Sequence, residues 1–283
     1  MREIFLCAIN NLLSGACSED CKFCSQSSRY RAKIDRYSFK ALPQVVQEAK
    51  EAEANGAIGY CLVTAGVGLD DKKVEYISEV ASQLKRELPN LKIIACTGLA
   101  TKEALKELKS AGVDSYNHNL ESSRNYYQKI CTTHSWESRY KTCEAVKSVG
   151  LSLCSGGIFG MGESEEDRDE LIDAIISLEP SSIPINFFIP NPALPIKERN
   201  LDRAEATKII QKIRAKTPDE TIVMVAGGRE DIFGGAEAEM FEAGANSIVI
   251  GNYLTTKGFA PDYDRQMIKN LGYKVAVGCD GTR

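Results

Sequence analysis

The feature of this sequence that most restricts its fold is a regular alternation of short apolar runs with longer amphipathic runs. The short runs are rich in β-branched residues, as strands are, and the longer ones carry apolar residues at helical spacing. In the run near residues 43–55, for example, Val45, Val46 and Ala49 share one helical face. Strands are predicted near residues 4–9, 58–63, 92–96, 115–119, 151–155, 183–188, 221–225 and 247–250.

These strand–helix units predict one closed barrel. Strands that alternate with helices form parallel sheets, because each helix carries the chain back across the sheet. No linker-like or low-complexity segment divides the 283 residues, and a barrel of this type typically takes about 250. We therefore predict an α/β fold with a single (β/α)8 TIM-type domain over residues 1–283. In such barrels the catalytic residues lie at the carboxyl ends of the strands.

Composition argues against several classes of partner. The net charge is −4, from 35 basic and 39 acidic residues, which gives no electrostatic basis for binding nucleic acid or an anionic membrane. The amino-terminal residues lack the long apolar core and the small-residue cleavage site of a signal peptide. We predict a cytoplasmic protein that binds neither nucleic acid nor membrane.

Three cysteines in one short segment form the strongest local signal. Cys17, Cys21 and Cys24 fall within a polar, glycine-flanked loop at residues 15–28, directly after the first predicted strand. Three converging thiolates suit a soft metal centre. Structural zinc is an alternative, but zinc usually takes a fourth protein ligand, and the chain has only two histidines. Unrelated buried cysteines are the other alternative.

Phe23, directly before the third cysteine, completes the pattern CxxxCxφC. In this pattern the sequence resembles the radical S-adenosylmethionine enzymes. The resemblance implies that the three cysteines hold a [4Fe–4S] cluster and that S-adenosylmethionine binds its fourth iron.

A second group of cysteines lies in the predicted strands. Cys61, Cys96 and Cys154 belong to three different strands of the predicted barrel. A buried cysteine in a strand usually serves as a small apolar residue. Three thiols that point into one barrel could instead hold a second iron–sulfur centre away from water.

Longer stretches resemble one family over nearly the whole chain, the biotin synthases. They are GACSEDCKFCSQSSRY at 15–30, YNHNLE at 116–121, CSGGI at 154–158, PIN at 184–186 and AGGRE at 226–230. The resemblance implies that sulfur is inserted between C6 and C9 of dethiobiotin. It also implies that Cys61, Cys96 and Cys154 hold an auxiliary [2Fe–2S] cluster that supplies this sulfur. Because the C–H bonds involved are unactivated, a cofactor-derived radical is required.

The same resemblance implies roles for polar and loop residues. Asn117, Asn119 and Asn186 would hold the substrate, since an amide both donates and accepts hydrogen bonds. Backbone groups at the strand end could instead satisfy Asn117. Glu121, where the family generally has Asp, would bind the ribose of S-adenosylmethionine, and Arg139 its carboxylate. Without the resemblance these two would be a solvated acid and a solvated helix residue. The remaining implied cofactor contacts are Phe23, Asn119, Gly157 and Ile158.

The chain departs from the family near the auxiliary cluster. Met224 stands where the best-known members have an arginine ligand, and Gly59 replaces a second arginine. Cys7 stands where serine is common. A thiolate is a better ligand than a thioether, so we hypothesise that Cys7 is the fourth ligand or alters the cluster type. A plain core role for Cys7 is the alternative. No role is assigned to Cys131, Cys143 or Cys279.

Two other functions are consistent with parts of this pattern. One is another radical S-adenosylmethionine enzyme, such as a methyl-transferring, mutase or maturase relative, which would not consume a second cluster. The other is a zinc-stabilised barrel without catalysis. For the favoured function, the resemblance implies an electron donor such as flavodoxin or ferredoxin, and a homodimer.

Overall fold

The structure, a computed structural model, describes residues 2–278, so Cys279 lies outside the described part. Within these residues, ten strands form one sheet in which every strand pairing is parallel. They are β1 (Glu3–Leu13), β2 (Gly59–Thr64), β3 (Lys92–Cys96), β4 (Ser115–Asn117), β5 (Ser152–Cys154), β6 (Gly157–Phe159), β7 (Ser182–Phe187), β8 (Ile222–Val225), β9 (Ser247–Val249) and β10 (Lys274–Val275). Strand β1 pairs with both β2 and β9, which closes the sheet and confirms the predicted (β/α)8 barrel.

The fifth position of the barrel differs from the prediction. Two short strands, β5 and β6, replace one continuous strand near 151–155, and both pair with β7. The chain bends between them at Gly156, where a Cβ atom would lie 1.9 Å from the carbonyl oxygen of Pro184. Only glycine permits this approach of the two backbones. Strand β4 ends at Asn117, so Asn119 lies in the loop that follows rather than in the strand.

Helices surround the barrel. They are α1 (Leu42–Ala54), α2 (Asp71–Glu87), α3 (Lys102–Ser110), α4 (Arg124–Ile130), α5 (Trp136–Ser148), α6 (Glu165–Ser177), α7 (Arg203–Ala215), α8 (Arg229–Phe233), α9 (Glu237–Glu242) and α10 (Pro261–Asn270). Side-chain caps fix several starts; Ser164, for example, caps α6 in a reciprocal box with Asp167. The short helices α4 and α8 were not predicted, because a helix of seven or five residues has little apolar periodicity.

Alternation along each strand separates two apolar regions. In β2, Tyr60 and Leu62 belong to the large core between strands and helices, whereas Cys61 and Val63 belong to a smaller cluster inside the barrel. The inner cluster also contains Cys7. The side chains of Cys7, Cys61 and Met224 therefore face the barrel interior. Within residues 2–278, no helix has the length and apolar character that crossing a bilayer requires.

Candidate active site

One cavity of about 900 Å³ occupies the interior and mouth of the barrel. Its wall contains most of the residues that the sequence singled out: Cys7, Phe23, Cys24, Cys61, Cys96, Asn117, Asn119, Glu121, Cys154, Ile158, Asn186 and Met224. The other four each contact a residue of the wall. The backbone of Cys17 hydrogen bonds to Gln26, and that of Cys21 to Cys24. Arg139 forms an ion pair with Glu121, and the Gly157 carbonyl accepts from the Asn186 amide. Both cysteine groups thus meet at one space.

The cysteine loop is folded back on itself by backbone hydrogen bonds. The Cys24 amide donates to the Cys21 carbonyl at 3.0 Å, and the Cys17 amide donates to the Gln26 carbonyl at 3.2 Å. The Ser28 amide donates to the Cys17 carbonyl at 2.8 Å, which closes the loop. Three thiols held in this way form a donor set that suits an iron–sulfur cluster.

The segment after α4 fixes the position of this loop. The Asp20 carboxylate accepts from the backbone amides of Thr132 at 2.8 Å and Thr133 at 3.2 Å. The Lys22 amide donates to the Ile130 carbonyl at 2.8 Å. These contacts join parts of the chain about 110 residues apart. The unpredicted helix α4 therefore positions the loop.

The deeper cysteines lie on three strands of the barrel: Cys61 and Cys96 on the adjacent strands β2 and β3, and Cys154 on β5. Cys61 hydrogen bonds with Cys96, and the pKa of Cys61 is raised by that bond, then by burial and by nearby Cys7 and Cys154. Burial raises the pKa of Cys154 to about 12. Because their pKa values are raised, the thiols of Cys61 and Cys154 keep their protons at neutral pH, so a metal that binds them must displace those protons. Their grouping fits an auxiliary cluster away from water.

Cys7 occupies space that a side chain at position 59 would otherwise fill. It lies opposite Gly59 in the β1–β2 register, and a Cβ atom at Gly59 would be 3.3 Å from the Cys7 sulfur. Cys7 packs in the same inner cluster as Cys61 and Met224. Cys7, Met224 and Gly59, the three positions at which the sequence departs from the best-known members, thus lie beside the deeper cysteines.

The three predicted substrate amides differ in how they are satisfied. The Asn186 Oδ1 atom accepts from the Gly227 amide at 3.0 Å, and its Nδ2 donates to the Gly157 carbonyl at 3.2 Å. The Asn119 Oδ1 atom accepts from the Gly156 amide at 3.1 Å. The Asn117 Oδ1 atom is buried and has no hydrogen-bond partner among residues 2–278. Because buried polar groups are almost always paired, this atom points to a ligand.

Glu121 and Arg139 form a buried pair at the cavity mouth. The Arg139 Nη2 atom lies 2.8 Å from Glu121 Oε1, and its Nε donates to the Asn119 carbonyl at 2.7 Å. Burial raises the pKa of Glu121, and Arg139 opposes that shift. The second carboxylate oxygen, Oε2, is buried without a partner in the described part of the chain. It is free to accept from a ligand hydroxyl.

Glu121 also has a backbone conformation that few residues adopt. Its φ is +68°, in the left-handed region, where a residue other than glycine carries a strain of about 1–3 kcal/mol. Its carbonyl accepts from the Ile158 amide at 2.9 Å. The strained backbone therefore holds together two of the predicted cofactor contacts.

Two residues next to the loop had no predicted role. The Cys131 sulfur lies 3.5 Å from the Cys21 sulfur and 3.4 Å from Nδ1 of His134. No local pattern identifies this contact, because Cys131 is more than 100 residues from Cys21 and follows a helix that was not predicted.

Comparisons with known proteins identify the family. Residues 11–175 match the Radical SAM superfamily, and residues 184–274 match the Biotin and Thiamin Synthesis associated domain. A biotin synthase from Sulfurovum sp. is 60% identical over 279 residues, which cover 99% of this chain and 98% of the relative. A biotin synthase from Wolinella succinogenes is 51% identical over 99% of this chain and 100% of its own length. The chain belongs to the biotin synthase family.

Membership in the biotin synthase family confirms the predicted class of enzyme. The protein is a sulfurtransferase of the radical S-adenosylmethionine type, which uses a [4Fe–4S] cluster and an auxiliary iron–sulfur cluster. The zinc-stabilised barrel and the other radical enzymes are thereby disfavoured.

Solved structures share the fold at low identity. Methylornithine synthase superposes with a TM-score of 0.77 at 19% identity, covering 97% of this chain and 84% of that one. The FeFe-hydrogenase maturase HydG from Carboxydothermus hydrogenoformans superposes with a TM-score of 0.85 at 17% identity, covering 99% of this chain and 70% of that one. These likenesses concern the barrel alone, since the same fold carries different reactions.

Proposed function

We propose that this member of the biotin synthase family inserts sulfur between C6 and C9 of dethiobiotin, with its two cysteine groups facing one substrate space. The observation that supports this division is the shared cavity, with Cys24 and Phe23 on one part of its wall and Cys61, Cys96 and Cys154 on another. Reduced protein incubated with dethiobiotin and S-adenosylmethionine should yield both biotin and 5′-deoxyadenosine. Deoxyadenosine without biotin would favour a different radical enzyme.

Under this proposal Cys17, Cys21 and Cys24 hold the [4Fe–4S] cluster, and Cys61, Cys96 and Cys154 hold the auxiliary cluster. When bound, the first cluster and S-adenosylmethionine supply a radical that can take hydrogen from an unactivated C–H bond, which no side chain can do. The protein positions the substrate and excludes water. The buried cavity suits both tasks.

The amides of the wall would orient dethiobiotin. Asn117 has an unpaired acceptor, Oδ1, which suits an N–H of the ureido ring. Asn119 and Asn186 are fixed by backbone contacts and can make further bonds, since each amide has two donors and two acceptor sites. Asn117→Ala should raise the KM for dethiobiotin by about two- to tenfold, since losing one hydrogen bond costs about 0.5–1.5 kcal/mol.

Asn125→Ala is the matched control for that variant, because Asn125 hydrogen bonds to Glu170 on the exposed surface. Steady-state kinetics of biotin formation should leave its KM unchanged. An unchanged KM for Asn117→Ala as well would remove Asn117 from the substrate site.

Glu121 would accept from the ribose hydroxyls, with Arg139 at the methionyl carboxylate and Phe23, Gly157 and Ile158 around the nucleoside. We expect Glu121→Ala to weaken S-adenosylmethionine binding by about ten- to a hundredfold, because a hydrogen bond to a charged group contributes about 1.5–3 kcal/mol. Equilibrium binding to the cluster-loaded protein measures this effect.

Glu121→Asp is the matched control. It keeps the carboxylate, and Asp adopts the left-handed conformation more readily than most residues. Binding by this variant should stay within a few-fold of the parent. Unchanged binding by Glu121→Ala would mean that the carboxylate does not contact the cofactor.

Cys7 is the proposed fourth ligand of the auxiliary cluster. Its sulfur lies in the same inner group as Cys61, and a thiolate binds iron better than the Met224 thioether. Cys7→Ala, reconstituted anaerobically, should therefore change the Mössbauer spectrum of the auxiliary cluster, whereas Met224→Leu should not. Unchanged auxiliary-cluster spectra in Cys7→Ala would leave Cys7 a core residue.

The remaining parts of the proposal concern partners and location. Reduction of the first cluster requires an electron donor, for which a flavodoxin or ferredoxin suits. We propose a homodimer in the cytoplasm, where thiols stay reduced. Sedimentation of the cluster-loaded chain would test the dimer.

A further inference from the structure

The Cys131 thiol lies against a sulfur that is assigned to the cluster. Cys131 is only 1% exposed, and its sulfur is 3.5 Å from that of Cys21, within the range of an S–H···S hydrogen bond. Its other polar neighbours are Nδ1 and Nε2 of His134, at 3.4 Å and 3.9 Å, and Oγ1 of Thr133 at 3.7 Å. The direction of each bond depends on where the protons are.

The position of the His134 proton follows from its neighbours. Nε2 of His134 lies 3.2 Å from Nη1 of Arg139 and 2.8 Å from the Tyr127 hydroxyl. A guanidinium can only donate, so Nε2 accepts. Nδ1 then carries the proton and donates to the Glu19 carboxylate at 2.6 Å. Nδ1 is therefore not an acceptor for the Cys131 proton.

Three acceptors remain for Cys131: the Cys21 sulfur, the Thr133 hydroxyl and Nε2 of His134, which already accepts from Arg139. Cys21 is the nearest of the three, at 3.5 Å against 3.7 Å and 3.9 Å. A cysteine bound to iron is a thiolate, which has no proton to donate and accepts more strongly than a neutral hydroxyl. With the cluster in place, Cys131 is thus the donor and Cys21 the acceptor.

We propose that Cys131 sets the reduction potential of the [4Fe–4S] cluster by donating an S–H···S hydrogen bond to Cys21. The inference rests on the proposed assignment of Cys21 as a cluster ligand. Reduction adds negative charge to the cluster and its sulfurs, so a donor at this sulfur stabilises the reduced form more than the oxidised form. Hydrogen bonds to cluster sulfurs are a known control of the potential. Cys131 therefore makes the cluster easier to reduce.

A mononuclear metal site is the competing use of these side chains. The ligand atoms of Cys21, Cys131 and His134 lie within 4.8 Å of one another. A metal needs a ring nitrogen with a free lone pair. Nδ1 carries a proton directed at Glu19, and Nε2 faces the Arg139 guanidinium, so neither nitrogen is available without breaking these contacts.

The test is a potentiometric titration of the anaerobically reconstituted full chain, followed by the EPR signal of the reduced [4Fe–4S] cluster. We expect Cys131→Ala to shift the reduction equilibrium about tenfold toward the oxidised form, which is about 59 mV for a one-electron couple. Cys131→Ser keeps a donor and should recover most of that shift. Cys143→Ala is the matched control, a buried thiol that bonds to the His118 carbonyl, and should not shift.

An unchanged potential in Cys131→Ala overturns the inference, as does an equal shift in the Ala and Ser variants, which would indicate packing. If Cys131→Ala does not retain the cluster, Cys131→Val gives the same comparison with better filling of the site. A parent protein without a [4Fe–4S] signal would contradict the proposed function itself, whereas a normal signal with an unshifted potential would contradict the role of Cys131 alone.

Discussion

Replacing any one of Cys61, Cys96 or Cys154 by alanine is expected to abolish biotin formation while 5′-deoxyadenosine is still produced. These thiols lie together in the barrel interior, where Cys61 hydrogen bonds with Cys96. Loss of one ligand removes the sulfur source and leaves the cysteine loop intact. The measurement is chromatography of both products from reduced protein with dethiobiotin and S-adenosylmethionine, together with the iron and acid-labile sulfide content.

Cys143→Ala is the control for these variants, because Cys143 is also a buried thiol but bonds to the His118 carbonyl. It should form both products. Biotin formation that survives in all three variants would mean that sulfur comes from elsewhere, and the assignment of the auxiliary site would be wrong.

Alanine at Cys17, Cys21 or Cys24 is expected to abolish both products. These residues share one loop, which backbone bonds and the Asp20 contacts hold in place. Without a complete set of three thiolates the [4Fe–4S] cluster is lost, and S-adenosylmethionine is not cleaved. Product analysis and the EPR signal of the reduced cluster should both show the loss.

In contrast, the Cys131→Ala variant should still cleave S-adenosylmethionine, since Cys131 is not assigned as a ligand. Deoxyadenosine production by a protein with alanine at Cys17, Cys21 or Cys24 would contradict the loop assignment. Comparing Cys131→Ala with the alanine variants of the loop cysteines therefore distinguishes a residue that hydrogen bonds to a cluster ligand from the residues that bind the iron.

Strand positions could be predicted closely where the pattern is purely apolar. Strand β3 has the predicted bounds, Lys92–Cys96. Strand β1 runs on to Leu13, past the predicted end at residue 9, through the buried Asn10 and Asn11. The Asn10 amide is buried in the strand because it donates hydrogen bonds to Glu48 and Tyr60. Sequence analysis ended the strand too early, because these partners are distant in the chain and a polar residue interrupts the apolar pattern.

The cysteines that we propose as ligands could be singled out from the sequence because their spacing and their strand positions are local features. Contacts between distant segments could not. The Glu121–Arg139 pair depends on how α5 packs beside the loop after β4, and the approach of Cys131 to Cys21 depends on α4. Only the three-dimensional arrangement brings these groups together.

Under the proposed function, a sulfide held by Cys61, Cys96 and Cys154 becomes the sulfur of biotin. The most direct measurement reconstitutes the protein with sulfide labelled with a heavy sulfur isotope, removes free sulfide, and analyses the biotin from a single turnover by mass spectrometry while Mössbauer spectra follow the clusters. We expect labelled biotin and a matching loss of the auxiliary-cluster signal, with the [4Fe–4S] signal retained. Unlabelled biotin, or labelled biotin with the auxiliary signal intact, would contradict the account.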